Sequence, residues 1–396
     1  PAIALSLFFL LIYFKRKDIG LNNTNRIIFI SLTFLIFINI FQIIIFNQKP
    51  VSPLVENINI ENFDDENAPD VFHIVLDMYP TNKILESRFN FDNEEFSEEL
   101  NLIGFINEDL KANYIRTMYS LPSTFNMNHF YNSNQDEIVF MKETLEKFHK
   151  SVEGNIADKL GYKIQEISTN DVNNFHSSFL GDFSRVFMRT NILRILDDSP
   201  VPIHNLWVNK NQKYFTENLQ KLTNLSNDPE KTWTYFYSRP PHPPFIFNED
   251  GSKNLSANPY NTFSEDLSDS WTSEEKENFI KQLKYVNKEI LESVRQIISN
   301  SKNVIIIIHS DHGVTNMSGE DKLTDGTLPD EIYEELFSTI SYIYYPNYCA
   351  KKDSQIKTNI NIIPSVLRSC FNIELENKDD FQFWNSTNVE EFILIK

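Results

Sequence analysis

The stretch NVIIIIHSDHG, residues 303–313, decides the fold. It runs from five consecutive apolar residues into a polar His-Ser-Asp-His-Gly segment, and a second stretch, VFHIVLD (71–77), likewise ends in a carboxylate. Apolar runs of this length are typical of central parallel strands that are buried on both faces of a sheet. We therefore expect two interior strands, each of which ends in ionisable side chains.

The rest of the soluble sequence alternates between strand and helix patterns. Hydrophobic periods indicate strands at 232–238 and 339–346 and amphipathic helices at 136–160, 273–300 and 359–371. This alternation predicts an α/β domain over residues 70–396, with a mostly parallel sheet sandwiched by helices. The Asn- and Ser-rich stretches 170–230 and 246–272 are predicted to be long loops.

The N-terminal part of the chain has the pattern of a membrane anchor. Residues 27–46 contain no charged side chain, and as a helix they would reach about 30 Å, the thickness of a bilayer's hydrocarbon core. They are predicted to form a transmembrane helix, and residues 1–14 the end of another one. Because the sequence begins with Pro inside this apolar run, we expect further spans upstream in a longer protein.

Charge predicts how this anchor is oriented. The loop 15–26 carries all the basic residues of the first 46 positions, and the positive-inside rule makes it cytoplasmic. Residues 47–69 form an acidic stretch with two prolines and are predicted to be an extracytoplasmic linker. The α/β domain over residues 70–396 would then lie outside the plasma or inner membrane. Cys349 and Cys370 can pair there, although two cysteines alone are weak evidence for a disulfide.

The overall charge excludes one class of partner. The chain has 36 basic and 55 acidic side chains and a net charge of -19. The first 46 residues carry +3, so the remaining 350 carry -22. A surface this acidic repels phosphodiester backbones, which argues against a nucleic-acid partner.

Ionisable residues follow both interior strands. Asp77 ends the first strand, and Asp311 and His312 follow the second. Ligands of open α/β sheets gather at the carboxyl ends of the strands. Carboxylate and imidazole ligands together suit Zn²⁺ or Mn²⁺, so these three residues are candidate metal ligands. The alternative is an ordinary turn after a strand, with an aspartate that caps a helix.

Two further segments have unusual chemistry. The segment TMYSLPSTFNMNHF (117–130) places hydroxyls around Pro122, where a nucleophile could meet a helix N-terminus and a metal ion. The segment SRPPHPPF (238–245) holds His242 between prolines, in a stiff loop suited to fixing an imidazole against a substrate oxyanion. An N-capped helix and a rigid surface loop are the alternatives.

The order of these four sites resembles the alkaline phosphatase superfamily. An aspartate after a strand, a Thr/Ser segment about 40 residues later, a PHPPF loop and a late SDHG strand occur in that order in the family. The branch that the chain looks most like is the membrane-anchored, sulfatase-like one, similar to lipid A phosphoethanolamine transferases and lipoteichoic acid synthases. The resemblance spans residues 70–346 and implies the same fold with an extracytoplasmic catalytic domain.

The resemblance also implies roles for individual residues. Asp77, Asp311 and His312 match the family's metal ligands. The transferases place their nucleophilic threonine three residues before a Ser-apolar-Pro triplet, which makes Thr117 the implied nucleophile and fourth ligand. True sulfatases place the nucleophile two residues before the proline, which leaves Ser120 as the alternative.

Departures from the family pattern reduce the number of reactions that the resemblance implies. Sulfatases need an arginine after the proline for formylglycine formation, and Thr124 stands at that position, which argues against a formylglycine nucleophile. The transferases have a glutamate where this chain has Asp77, and the cysteines that flank their nucleophile are absent here. The donor and the acceptor therefore stay open.

The sequence as a whole predicts a membrane-anchored, metal-dependent transferase. It would move a phospho-headgroup from a membrane lipid donor to an envelope glycan or lipid acceptor through a phospho-Thr intermediate, with His242 and Arg239 serving the substrate. Two alternatives stay open: a sulfatase or phosphodiesterase that uses the same site, and a non-catalytic binding ectodomain.

Overall fold

The structure, a computed structural model, describes residues 68–168, 204–256, 271–315, 327–349, 356–385 and 392–395. These residues belong to one compact unit, Ile58–Lys396. The predicted membrane segments and nearly all of the predicted linker lie outside them, so their placement stays a prediction. Within the described ranges, no helix is both long enough and apolar enough to cross a membrane.

The described helices and strands alternate along the chain. In chain order the helices are α1 (Asn82–Phe89), α2 (Glu94–Ile103), α3 (Thr117–Asn126), α4 (Gln135–Thr144), α5 (Val152–Lys159), α6 (His204–Leu225), α7 (Ser273–Asn300), α8 (Asp330–Phe337) and α9 (Ile362–Phe371). The strands are β1 (Asp70–Leu76), β2 (Ile106–Asn107), β3 (Leu110–Lys111), β4 (Lys163–Ser168), β5 (Thr232–Ser238), β6 (Val304–His309), β7 (Ser338–Thr339), β8 (Ser341–Tyr344), β9 (Phe383–Asn385) and β10 (Phe392–Leu394).

The main sheet has six strands in the order β2-β8-β6-β1-β5-β4. Strands β4, β5, β1 and β6 run parallel to one another, as the apolar runs predicted, while β8 and β2 add an antiparallel edge. The predicted strand 339–346 is wrong in its extent. It divides into β7, which pairs with β3 in a separate two-stranded sheet, and β8, which lies at the edge of the main sheet.

The central strand β1 is buried on both faces, and each face has a different character. Phe72, Ile74 and Leu76 point into the main apolar core together with residues of α6 and α7. His73 points to the opposite face, where its ring contacts Phe125 of α3. Because side chains alternate along a strand, Asp77 is expected on the same face as His73, towards α3.

The long helix α7 forms as its pattern predicts. Thr272 and Glu275 make a capping box, in which each side chain accepts a hydrogen bond from the other residue's backbone N–H. The buried stripe of this helix includes Phe279, Leu283 and Val286 and packs in the main core.

The predicted single helix at 136–160 is wrong. The chain forms α4 and α5 there, separated by the 3₁₀ turn Phe148–Lys150. Ser151 caps the second helix by accepting a hydrogen bond from the N–H of Gly154. A Cβ on Gly154 would lie 2.5 Å from the carbonyl oxygen of Phe148, so this glycine allows the turn to fold back onto the helix.

The predicted loop 170–230 contains a helix, which corrects that expectation. α6 occupies the last part of the stretch and buries Val208, Phe215, Leu219 and Leu222 in the main core. These apolar residues have helical spacing, but the many Asn and Lys residues on the other face conceal it in the composition.

The cysteine pairing that the sequence left open is present. Cys349 and Cys370 form a disulfide across a sequence separation of 21 residues. Closing a loop of that length contributes on the order of 3 kcal/mol by restricting the unfolded chain. The disulfide joins the segment after β8 to α9.

Candidate active site

Two neighbouring strands bring the predicted metal ligands together. β1 and β6 are adjacent and parallel, and their register pairs Val75 with His309. Asp77 and Asp311 each follow two residues later, so both carboxylates leave the sheet at the same edge and on the same face. Asp77, Asp311 and His312 are all buried, and their candidate ligand atoms lie within 4.8 Å of one another.

Each carboxylate has one oxygen that the protein holds and one that it does not. Asp311 Oδ1 accepts hydrogen bonds from the backbone N–H groups of Met78, at 3.1 Å, and His312, at 2.9 Å. Asp77 Oδ2 accepts a short hydrogen bond from the hydroxyl of Tyr237. The other two oxygens, Asp77 Oδ1 and Asp311 Oδ2, are buried without a hydrogen-bond partner.

The ring of His312 faces these two oxygens. Its Nδ1 lies 2.7 Å from the carbonyl oxygen of Gly313, and because a carbonyl only accepts, this nitrogen carries the proton. The Nε2 lone pair is therefore free to point into the site. Nε2 lies 3.5 Å from Asp77 Oδ1 and 3.6 Å from Asp311 Oδ2.

Electrostatics at this point favour a bound cation. Burial raises the pKa of Asp77 above its ordinary value, and the neighbouring His312 only partly offsets this. Burial together with the charge of Asp77 raises the pKa of Asp311 to about 6. Burying two carboxylates whose oxygens lack partners lowers the stability of the folded protein unless a cation binds to them.

The residues therefore fit a divalent metal ion. Two carboxylate oxygens and one imidazole nitrogen converge, and the two oxygens lack a hydrogen-bond partner in the part of the chain that the structure describes. Oxygen and nitrogen donors in this combination suit Zn²⁺ or Mn²⁺. The buried, unsatisfied oxygens are the observation that separates this cluster from an ordinary strand-end turn.

Thr117 lies beside the cluster, at the first residue of α3. Its Oγ1 is 3.3 Å from His312 Nε2, and its side chain is only partly buried. The helix begins at Thr117, with Arg116 as the N-cap, and Pro122 lies inside it. A helix N-terminus carries a partial positive charge, which favours an alkoxide or a bound anion at this position.

Ser120, the alternative nucleophile, is placed differently. It is buried, and its hydroxyl donates a 2.5 Å hydrogen bond to the backbone carbonyl oxygen of Asp311. The Ser120 hydroxyl thus ties α3 to the segment that carries the candidate ligands Asp311 and His312. Thr117 Oγ1, in contrast, contacts the side chain of a candidate ligand, His312.

The chain after His312 turns through a tight contact. Gly313 donates its N–H to the carbonyl oxygen of Leu336 at 2.9 Å. A Cβ on this residue would lie 2.1 Å from the carbonyl oxygen of Glu335, so only glycine fits. Gly313 thus allows the turn that carries Asp311 and His312 to pack against the end of α8.

The proline-rich loop brings His242 to the same site. The rings of His242 and His312 lie 6.4 Å apart between centroids. Nδ1 of His242 donates to the carbonyl oxygen of Pro243 at 2.6 Å, which leaves Nε2 with its lone pair. Removal from water and the nearby charge of Arg239 lower the pKa of His242 to about 3, so the ring is neutral at neutral pH.

Arg239 is anchored in the same loop. Its Nε donates to the carbonyl oxygen of Pro243 at 2.9 Å. Its positive charge partly offsets the rise in the pKa of Asp77 that burial causes, and it adds to the effect of burial in lowering the pKa of His242. A guanidinium beside these groups is suited to the oxygens of an anionic ester.

A single glutamine of α7 holds this loop. The Gln282 side chain is fully buried and makes four hydrogen bonds to loop backbone. Its Oε1 accepts from the N–H groups of Ile246 and Phe247, and its Nε2 donates to the carbonyl oxygens of Pro241 and His242. The glutamine side-chain amide is neutral, and it can accept two hydrogen bonds through its oxygen while it donates two through its nitrogen.

We expect Gln282→Glu to loosen the loop. The carboxylate keeps its two acceptor contacts but cannot donate to the carbonyls of Pro241 and His242, and it repels them. Hydrogen exchange at the amides of 242–247 should become faster. Turnover in the reaction proposed below should fall about ten- to a hundredfold, because small displacements of a candidate catalytic group such as His242 are costly. Gln296→Glu is the control, on the exposed face of the same helix. Unchanged exchange and turnover in Gln282→Glu would contradict this role.

The sequence did not single out Tyr237 or Gln282. Tyr237 is recognisable only when the sheet order is known, since β5 lies next to β1. Gln282 had a visible signal, because it is a polar residue three positions after Phe279 on the otherwise apolar stripe of α7. A buried chain of His309, His73 and Glu153, joined at 2.7 and 2.9 Å, also lies under the site and was not predicted.

Comparison with known proteins supports the fold. No family model matches the chain, and no curated protein matches it by sequence. Its structure is similar to the C-terminal periplasmic domain of EptC from Escherichia coli in complex with zinc. The TM-score is 0.55 and the identity 11%, over 86% of this chain and 94% of that chain. Another structure of the same domain gives a TM-score of 0.52, with the same identity and shares.

The chain has an alkaline phosphatase-like fold. This confirms the resemblance that the order of the four motifs predicted. The chain is also similar to the integral membrane protein lipooligosaccharide phosphoethanolamine transferase A from Neisseria meningitidis. That match has a TM-score of 0.48 and 11% identity, over 96% of this chain and 67% of that one.

Proposed function

We propose that the protein is a membrane-anchored, metal-dependent phosphoryl-group transferase in which Thr117 is the nucleophile. One observation carries the proposal: two unpartnered carboxylate oxygens and the Nε2 lone pair of His312 converge beside the Thr117 hydroxyl at a helix N-terminus. Asp77, Asp311, His312 and Thr117 would together hold the ion. A bound divalent cation supplies Lewis acidity, which lowers the pKa of a coordinated hydroxyl and neutralises phosphoryl charge.

In the first step Thr117 Oγ1 bonds to the phosphorus of the donor. The bond between phosphorus and the lipid oxygen breaks in line, and the leaving oxygen gains a proton as the threonine hydroxyl loses one. The product is a phospho-Thr117 intermediate that carries the headgroup. The N-terminus of α3 stabilises the negative charge on that phosphoryl group.

In the second step the acceptor hydroxyl bonds to the phosphorus, the bond between phosphorus and Thr117 Oγ1 breaks, and Oγ1 regains a proton as the acceptor hydroxyl loses one. His242 is neutral, and its Nε2 lone pair accepts a hydrogen bond from the incoming hydroxyl and so orients it. Arg239 offers a guanidinium to the oxygens of the transferred group. We assign the contact with the substrate oxyanion to Arg239 and not to His242, because a neutral His242 ring whose Nδ1–H is already engaged has no second proton to donate.

The site is better matched to a diester than to a dianionic monoester. Two carboxylates and an alkoxide outweigh the two charges of a divalent ion, so little positive charge is left for the substrate beyond Arg239 and the helix N-terminus. A phosphodiester carries a single negative charge, as a phospholipid headgroup does. This argument supports a lipid donor over a soluble phosphate monoester.

The location proposed for the domain supports transfer over hydrolysis. The apolar run 27–46 and the basic loop 15–26 favour an anchor with the catalytic domain outside the membrane. The disulfide between Cys349 and Cys370 suits an oxidising compartment. A tethered site lies beside lipid donors and envelope acceptors.

Product analysis tests the proposal. The full chain, in detergent micelles with zinc or manganese, is given a phosphatidylethanolamine with fluorescent acyl chains. We expect diacylglycerol release that rises with added glycolipid acceptor, and headgroup bound to that acceptor. Free phosphoethanolamine released at the same rate without acceptor would assign a hydrolase instead, and no release with any phosphate or sulfate ester would favour a binding ectodomain.

A further inference from the structure

Tyr237 lies beside the metal cluster and contacts it from a neighbouring strand. β5 pairs with β1 in parallel, and the register places Tyr237 opposite Val75. The backbone N–H of Asp77 donates to the carbonyl oxygen of Ser238 at 2.9 Å. Asp77 is therefore fixed to β5 through its backbone, and the phenol of Tyr237 adds a second contact to its side chain.

The phenol is a permanent donor. The Tyr237 hydroxyl carries a proton and the Asp77 carboxylate can only accept one, so the hydrogen bond runs from Tyr237 to Asp77 Oδ2. The contact occupies this oxygen and leaves Oδ1 unpartnered and directed at His312.

We propose that Tyr237 is a positioning residue that sets which oxygen of Asp77 binds the metal. This inference rests on the metal site of the proposed function, not on the reaction. With Oδ2 engaged, Asp77 presents Oδ1 as a single ligand atom, and its carboxylate plane is fixed. Asp77 has one methylene fewer than a glutamate, so its reach depends on how it is held.

Tyr237→Phe tests the role of the hydroxyl. The substitution keeps the ring and removes one oxygen, and partners of metal ligands commonly contribute ten- to a hundredfold to affinity. We expect the Kd for zinc, measured by competition with a chromogenic chelator on the full chain, to rise by about that factor. The rise in Tm that zinc produces should shrink with it, since that rise follows from the affinity.

Tyr342→Phe is the matched control. Tyr342 is a buried residue of β8 in the same sheet, and its hydroxyl contacts Ser97 Oγ at 2.8 Å, away from the metal ligands. Its loss should lower the Tm of the metal-free and zinc-bound forms alike and leave the zinc Kd unchanged. If the role of Tyr237 were purely structural, Tyr237→Phe would give this same result, a lower Tm with and without zinc and an unchanged zinc Kd.

The outcomes separate the inference from the proposed function. A zinc Kd for Tyr237→Phe within twofold of wild type overturns the role of Tyr237 while the metal site stands. Failure of the wild-type chain to bind zinc or manganese overturns both. A zinc-bound crystal structure of the wild type gives a second test that needs no variant: Asp77 bound through Oδ1, with Oδ2 on Tyr237, supports the inference, and a bidentate Asp77 without that contact overturns it.

Discussion

Replacing Thr117 with alanine is expected to lower turnover by about three orders of magnitude or more, because it removes the proposed nucleophile of the proposed covalent mechanism. The fold should be unaffected, since the Thr117 side chain is only partly buried. Initial rates of transfer from the fluorescent lipid donor measure the loss. Intact-mass spectra should also lose the phospho-adduct that forms on the wild-type chain when acceptor is withheld.

Variants of two other hydroxyl residues in α3 show whether the loss of turnover is specific to Thr117. Thr124→Ala is the control for hydroxyl loss, because Thr124 is buried and donates to the carbonyl oxygen of Ser120 at 3.0 Å, away from the cluster. It should keep turnover close to wild type. Ser120→Ala removes the bond to Asp311 and should lower turnover less than Thr117→Ala. An abolished adduct in Ser120→Ala with a persistent one in Thr117→Ala would move the nucleophile to Ser120.

Replacing Asp311 with asparagine should change metal affinity and stability in opposite directions. The amide loses the negative charge that a divalent ion requires, so zinc affinity and turnover should fall by at least about a hundredfold. In the metal-free protein, however, the variant should be more stable than wild type by a few degrees in Tm. The change removes a buried charge beside Asp77, and the new Nδ2 can donate to the unpartnered Asp77 Oδ1.

Thermal unfolding with and without zinc measures both effects. Wild type should gain Tm from zinc, and Asp311→Asn should not. Treatment of wild type with a chelator should abolish turnover, and zinc or manganese should restore it. Asp109→Asn, an exposed substitution, is the control. A metal-free Asp311→Asn that is less stable than wild type would show that the two carboxylates do not repel each other in the folded state.

The interior strands and the clustering of the candidate metal ligands were predictable because their signals are local. An apolar run such as 304–308 has few structural alternatives, and a carboxylate directly after it lies at a sheet edge. The order of the motifs then added Thr117, which no local rule singles out. The neighbouring registers of β1 and β6 bring Asp77 and Asp311 together as that reasoning expected.

The contacts that hold Asp77 and the proline-rich loop in place were not predictable, because they join residues far apart in sequence. Tyr237 is 160 positions from Asp77, and Gln282 is 41 positions from Pro241. The different surroundings of Thr117 and Ser120 were not predictable either. Both belong to one helix, but the Ser120 hydroxyl donates to the backbone carbonyl oxygen of Asp311, whereas Thr117 Oγ1 contacts His312 Nε2.

The prediction of a single helix over 136–160 failed because α4 and α5 share one hydrophobic period. The apolar residues of 136–160 keep a helical period across the break, so periodicity alone joins α4 and α5. The signals for the break are Ser151, which caps the second helix, and Gly154, which admits the close turn. Both are ordinary residues whose roles appear only from their contacts.

A zinc-bound crystal structure of the full chain tests the central claim most directly, with the ion located by its anomalous scattering. The account predicts one ion bound by Asp77, Asp311 and His312, with Thr117 Oγ1 at about 2.0–2.2 Å, the range of oxygen ligands of zinc. An ion with Ser120 Oγ in its coordination sphere, or one bound away from these residues, would contradict it.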